Sequence, residues 1–396
     1  MKELSSRASA VQASTTIAID SMYKKMRAEG IDVIGFGAGE PDFNTPVFIK
    51  AAGIRAIEAN MTRYTPASGL ESLREAICAR MKEDCGLIYS PSEIVVASGA
   101  KHNVYIALNA LLDPGDEVIL PAPFWVSYYE MILMSGGVPV TVSAKESDDF
   151  KLSPAMLEAA ITPKTKALIL NNPSNPTGML YTKEELMDIA NLCVKHDLYV
   201  IADEIYYELV YDGLKFFSFA ALGEQIKDRT ILINGVSKSY AMTGWRVGYA
   251  AANAKIAKVM ANYLSHSTSA PSTISQIAAT EALTGPQAEV ETMRKEFEAR
   301  RNYIVARMNQ IPGVSCRMPH GAFYVMMNLE KLVGRTIDGI KIKDADTFAA
   351  AFLEKGLVAT VPCTGFGAPY HVRWSYATSM DNIKEGMDRL ERFLAQ

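Results

Sequence analysis

Between about residues 47 and 283, short apolar runs alternate with longer segments that interleave apolar and polar positions. The runs at 94–97, 117–120, 138–142, 168–170, 198–202 and 230–233 predict strands, because continuous apolar runs bounded by turn residues suit strands buried on both faces. Segments 102–112, 128–134 and 183–195 predict helices, and Asp113-Pro114-Gly115-Asp116 a turn. Strands alternating with helices imply a mostly parallel sheet covered by helices, an α/β fold. After Gly285-Pro286 the pattern changes. A long charged helix, roughly 287–309, carries apolar Val290, Met293, Phe297, Ile304 and Met308 and stops at Pro312-Gly313. The final third, with strands near 322–326 and 371–375, predicts a smaller α+β domain. The segment before Val47 is expected to join it. The chain thus divides into a large domain, 47–286, and a discontinuous small domain, 1–46 with 287–396.

Composition adds few constraints. A chain of 396 residues, 49% hydrophobic and 21% charged, can build two cores. A net charge of −4 gives no electrostatic case for nucleic acid or an anionic membrane surface. The first residues lack a signal peptide's apolar centre, and no apolar run is long enough for a membrane span, so a soluble, cytoplasmic protein is expected. Cys78, Cys85, Cys193, Cys316 and Cys363 form no Cys-x-x-Cys pair, and the five histidines no His-Glu-x-x-His; neither disulfide nor metal is predicted.

The chemistry gathers where predicted strands end. Lys238 lies in the run from Asn234 to Tyr249, just after an apolar strand, beside Ser237 and eight residues before Arg246. A buried lysine near a second cation can lose its proton and form a Schiff base, and an arginine with small polar residues suits a phosphate. Alone, the stretch equally fits a surface lysine and a structural arginine. Asp203 ends the preceding strand, where open α/β sheets place ligand groups, and can pair with a protonated ring nitrogen. Tyr206, three residues on, can reach a ring hydroxyl. Asn175 sits in the turn cluster Asn171-Asn172-Pro173-Ser174-Asn175-Pro176-Thr177-Gly178 after another strand.

The glycines 35, 37 and 39 do not complete Gly-x-Gly-x-x-Gly, and Pro41 interrupts the helix such a motif requires, so a nicotinamide dehydrogenase is disfavoured. A loop offering a backbone N–H, such as that of Gly39, to an anion competes with a plain turn. Ser98-Gly99-Ala100-Lys101 precedes a helix whose first N–H groups suit a phosphate, without the spacing of a nucleotide triphosphatase. Trp125 either packs in the core or stacks on an aromatic cofactor. Arg373, inside an apolar strand, needs an anion: a substrate carboxylate or an internal salt bridge.

With these residues in place, the chain resembles the fold-type I pyridoxal-phosphate aminotransferases almost end to end, and most of all the bacterial class I aspartate aminotransferases. The motifs run from Gly35-Phe36-Gly37-Ala38-Gly39-Glu40-Pro41-Asp42 to Arg373-Trp374-Ser375-Tyr376-Ala377-Thr378. The resemblance implies Lys238 as the Schiff-base lysine and Asp203 as partner of the pyridine nitrogen. Tyr206 and Asn175 would serve the ring hydroxyl, and Trp125 would stack on the ring. Gly99, Ala100, Lys101, Ser237 and Arg246 would hold the phosphate of pyridoxal 5'-phosphate. Arg373 and the Gly39 backbone would hold the substrate carboxylate, with Trp125 and Asn175 also lining the substrate site. Tyr64 matches a residue that reaches the phosphate of the other subunit, implying a homodimer with shared sites. The implied reaction exchanges an amino group between an L-amino acid, expected to be aspartate, and a 2-oxo acid, expected to be 2-oxoglutarate. An aromatic or other amino-acid aminotransferase, or a carbon–sulfur lyase, is the alternative on the same scaffold. A non-enzymatic effector-binding domain is disfavoured because no DNA-binding extension accompanies it. Lys101 would help read a distal carboxylate. Two positions depart from the family. Gly235 replaces a phosphate-binding serine, and Gln12 replaces a lysine found in relatives that accept prephenate. Pro123 and Pro176 are expected to follow cis peptide bonds.

Overall fold

The computed structural model describes residues 2–11 and 15–396, so Gln12 lies outside the described residues. Seven strands form the central sheet: β1 (Ile94–Ala97), β2 (Glu117–Ala122), β3 (Val138–Ser143), β4 (Thr165–Asn171), β5 (Tyr199–Asp203), β6 (Thr230–Gly235) and β7 (Gly248–Ala251). Their order across the sheet is β1-β7-β6-β5-β4-β2-β3. Six strands share one direction, and β7 runs antiparallel to both its neighbours. The sheet is therefore mostly parallel, as the alternation predicts.

Strand β7 was not predicted. Three of its four residues, Gly248, Ala250 and Ala251, are small and weakly strand-forming. It also breaks the alternation, because only a short 3₁₀ turn, Thr243–Trp245, interrupts its connection from β6. A parallel return would need a longer crossover, usually a helix.

Period-two alternation explains how the sheet is covered on both faces. Val118, Leu120 and Ile201 join one apolar cluster, packed by the helices Ala100–Leu111 and Ala254–Ser267. Ile119, Val200 and Ala202 face the opposite way, against the helix Lys183–Lys195. That helix has the predicted bounds. Its start is fixed by a capping box in which Thr182 and Glu185 satisfy each other's backbone N–H.

The C-terminal third builds a four-stranded antiparallel sheet around Tyr324–Asn328 and His371–Ser375, with Met326 opposite Arg373. The helices Ala288–Met308, Ala345–Gly356 and Met380–Leu394 pack on it. Ile34–Gly35 pairs in parallel with Val358–Ala359, which ties the N-terminal segment to this part of the chain. The same apolar cluster takes in Ile205, Tyr206, Leu209 and Tyr211, the residues that follow β5. The bonds before Pro123 and Pro176 are cis, as expected, and so is the one before Pro173. Among the described residues no helix is long and apolar enough to cross a membrane, and no cluster of His, Cys, Asp or Glu could hold a metal ion.

Candidate active site

Parallel strands deliver their C-terminal ends to one edge of the sheet, and the loops leaving that edge converge. β2 leads to Trp125, β4 to Asn175, β5 ends on Asp203, and β6 leads to Ser237 and Lys238. These residues line one cavity of about 760 Å³ together with Gly39, Ala100, Lys101, Tyr206, Arg246, Tyr324 and Arg373. Tyr64 does not line it. Its side chain is fully exposed in this chain.

Lys238 is half-buried in a tight turn, where Met242 N–H bonds to Ser237 C=O at 3.1 Å. Its amine donates to the carbonyl of Gly39. Gly39 thus offers Lys238 its C=O, a group separate from the N–H considered for an anion. Burial lowers the Lys238 pKa to about 8; Glu40 opposes the fall, and Arg373 adds to it. A lysine so placed can lose its proton near neutral pH.

Asp203 is buried, 4% exposed. Its Oδ2 accepts from Tyr128 Oη at 2.6 Å and its Oδ1 from Ile205 N–H at 3.2 Å. Burial pushes its pKa up, and the Tyr128 hydroxyl, the Ile205 N–H and the Lys238 charge pull against that rise. The Asn171 side chain fixes the neighbouring loop. Its Nδ2 donates to Asp203 C=O at 2.8 Å, while its Oδ1 accepts from Asn175 N–H at 2.7 Å. Tyr206 and Tyr324 share a hydroxyl–hydroxyl hydrogen bond of 3.0 Å, and burial raises the Tyr206 pKa well above its ordinary value.

Arg373 is 5% exposed. It donates to Asn175 Oδ1 at 3.0 Å and to Gly37 C=O at 3.1 Å, and it lies 4.4 Å from the Tyr324 ring centre. Its Nε has no partner, and among the described residues no carboxylate forms an ion pair with it. The internal salt bridge is therefore absent. The guanidinium faces the cavity with donor capacity left over.

An anion cradle forms at the other end. The N–H groups of Ala100 and Lys101 open the helix Ala100–Leu111 and have no intrahelical acceptor. Arg246 takes a left-handed backbone, φ 57°, which is uncommon for a side-chain-bearing residue. Its guanidinium folds back to Ser98 C=O at 3.3 Å and Thr243 C=O at 3.0 Å. Gly99 does not itself line the cavity. A Cβ there would fall 2.6 Å from Arg246 Nη2, so only glycine lets the cation approach the turn. Gly235 has a similar reason. A Cβ would lie 2.9 Å from Gly248 Cα and 3.0 Å from Val247 O, leaving no room for a serine. Ser237, 7% exposed, is the hydroxyl present on that side. The Lys101 amine sits 4.7 Å from the Trp125 ring centre, and burial and the Arg246 charge lower its pKa.

This arrangement matches one family. Residues 31–390 fit the model of Aminotransferase class I and II. The chain belongs to that family. It is 48% identical to the aspartate aminotransferase of Bacillus subtilis (strain 168), over 99% of each chain. Among solved structures, the aspartate aminotransferase of Rhizobium meliloti superposes with a TM-score of 0.96 at 40% identity, covering 100% of this chain and 99% of that one. The Thermus thermophilus aspartate aminotransferase with maleate gives 0.94 at 40% identity, covering 99% and 100%. The aminotransferase fold thus carries both the sheet-edge residues and the arginine of the C-terminal sheet.

Among the cavity residues that sequence reasoning missed, Tyr128, Tyr324 and Asn171 make hydrogen bonds to predicted ones. Tyr128 stands three residues after Trp125, at the start of the helix that follows it, a closeness that could have flagged it. Tyr324 reaches Arg373 only through strand register: it pairs with Ser375, so it is the diagonal neighbour of Arg373 on one face. A second cavity, about 830 Å³, shares Lys101 and Arg246 but is walled by Phe124, Tyr129 and Met131 and contains neither Lys238 nor Asp203. It therefore holds neither the amine nor the carboxylate that the sequence singles out.

Proposed function

We propose that this aminotransferase uses pyridoxal 5'-phosphate and exchanges the amino group of L-aspartate with 2-oxoglutarate, as a homodimer with shared sites. The observation that carries the reading is the buried Arg373, without a carboxylate partner, in the same cavity as the acidified Lys238 and the buried Asp203.

The residues fit the cofactor. Ala100 and Lys101 N–H, Ser237 and Arg246 would hold its phosphate, which approaches a turn that only Gly99 permits. Trp125 would stack on its ring, Asn175 and Tyr206 would donate to its ring hydroxyl, and Asp203 would pair with its ring nitrogen. When bound, pyridoxal 5'-phosphate supplies an aldehyde for the amino group and a ring that withdraws electrons from the substrate α-carbon. The chain's own residues supply orientation and proton transfer. Arg373 grips the substrate α-carboxylate through its unused donors, which fixes the direction of the α-C–H bond. Lys238 Nζ, neutral once its proton is lost, accepts the α-proton. Gly39 C=O anchors that amine.

The dicarboxylate preference rests on Lys101 and on a relative's structure with maleate, a dicarboxylate. The homodimer rests on Tyr64, which is fully exposed in this chain, as are, less completely, the apolar Ile54, Ile57 and Met61 shortly before it in the sequence. The division into 47–286 and 1–46 with 287–396 is supported by the separate C-terminal sheet and by the pairing of Ile34–Gly35 with Val358–Ala359.

The deciding experiment is a half-reaction. The protein loaded with pyridoxal 5'-phosphate is mixed with single amino acids, and the visible absorbance is followed. Aspartate and glutamate should convert the cofactor faster than phenylalanine or alanine. Lys238→Ala should keep the fold and lose the borohydride-sensitive band. Retained transamination in that variant would refute the assignment.

A further inference from the structure

Tyr128 is the strongest polar partner of Asp203, and nothing so far gives it a task. The two meet from separate elements: Tyr128 from the helix Ser127–Met134 after β2, Asp203 from the end of β5. Tyr128 is 2% exposed, and its ring meets Trp125 edge-on, centroids 5.2 Å apart and planes 86° apart. Its hydroxyl lies 2.6 Å from Asp203 Oδ2. Burial and the neighbouring Asp203 charge raise the Tyr128 pKa well above its ordinary value, so the phenol keeps its proton and donates.

We propose that Tyr128 is a positioning residue for Asp203: its hydroxyl keeps the buried carboxylate anionic and turned to the cavity. The inference rests on the reading above, in which Asp203 pairs with a cationic ring nitrogen.

The physical argument compares opposing effects. Burial drives Asp203 toward its neutral form, and a neutral carboxyl cannot pair with a cation. Three groups resist. Tyr128 resists most, the Ile205 N–H at 3.2 Å follows, and the Lys238 charge comes last. A hydrogen bond to a charged group is worth roughly ten- to a hundredfold in an equilibrium constant, or about one to two pKa units. Without Tyr128 the carboxylate keeps one longer donor and a partial charge interaction. The aromatic ring contributes packing, which phenylalanine would retain.

The test separates the hydroxyl from the ring. In the full chain without cofactor, carrying carboxyl-labelled aspartate, the Asp203 signal is identified by its loss in Asp203→Asn and titrated by infrared difference spectroscopy. In Tyr128→Phe its protonation midpoint should rise by about one to two pH units. In the loaded enzyme, kcat should fall about ten- to a hundredfold while the KM for the amino acid stays within about twofold. 3-Fluorotyrosine at position 128, a stronger donor on the same ring, should restore kcat and move the midpoint down. If Tyr128→Phe does not fold, the fluorotyrosine shift decides alone. An unchanged midpoint with either replacement overturns the proposal, as does a raised midpoint in Tyr128→Phe with unchanged kcat. Failure of the cofactor reading looks different. There the wild-type protein forms no borohydride-sensitive band, whereas the titration still reports whether Tyr128 holds Asp203.

Discussion

Glu204, next to Asp203, offers a quantitative test of how burial sets ionisation beside the site. It is 2% exposed and accepts from Ser218 Oγ at 3.0 Å and Phe219 N–H at 2.8 Å. Among the described residues no cation pairs with it, and burial raises its pKa from 4.5 to about 8. Below pH 4.5 the group is protonated in folded and unfolded chains alike and costs nothing. Above that, the unfolded chain ionises first, so stability falls with rising pH until the folded group ionises near pH 8. The shift from 4.5 to about 8, at about 1.36 kcal/mol per unit, sets a ceiling of about 5 kcal/mol on the penalty. Glu204→Gln keeps the shape and the acceptor oxygen but cannot ionise. It should exceed the wild type by no more than about 1 kcal/mol in urea unfolding near pH 5, and by roughly 2–5 kcal/mol toward pH 9. A gap between the two urea midpoints that stays flat from pH 5 to pH 9 would refute the reasoning.

Three further predictions concern the cavity and the backbone behind it. Asp203→Asn should retain the cofactor but lose orders of magnitude in turnover, because each pKa unit of lost ring-nitrogen stabilisation is worth about 1.4 kcal/mol; single-turnover kinetics check this. Lys101→Ser should raise the KM for aspartate and glutamate about ten- to a hundredfold and leave phenylalanine little changed. Equal losses for both substrate types would assign Lys101 to the phosphate instead. Gly235→Ser, which adds a hydroxyl, should destabilise the protein by about 1–3 kcal/mol because its Cβ meets the Gly248 and Val247 backbone. Thermal melting and cofactor dissociation measure this, and a tighter-binding, equally stable variant would contradict it.

Much of the fold was written in local pattern. Buried strands such as β1 and β6 are continuous apolar runs, and Lys183–Lys195 carries its own capping box, so their positions follow from nearest-neighbour chemistry. That Asn175, Asp203 and Lys238 belong to one site was also legible. Each follows a predicted parallel strand, and parallel strands bring their C-terminal ends to one edge. Three things depended on long-range packing. Strand β7 takes its direction from a connection with too little helix to cross over, a fact of chain path rather than of composition. Arg373 in the sequence could serve a salt bridge or a ligand. Only the folded structure shows that it lines the cavity and that, among the described residues, no carboxylate pairs with it. Tyr128, Tyr324 and Asn171 act through partners 75, 118 and 32 residues away, where no periodicity reaches. The sequence by itself determined which elements form and which loops carry reactive groups, because hydrophobic period and turn chemistry are local. The tertiary structure decided which of those groups are charged, which are paired and which are left free, because burial and partner distance exist only once the chain has folded.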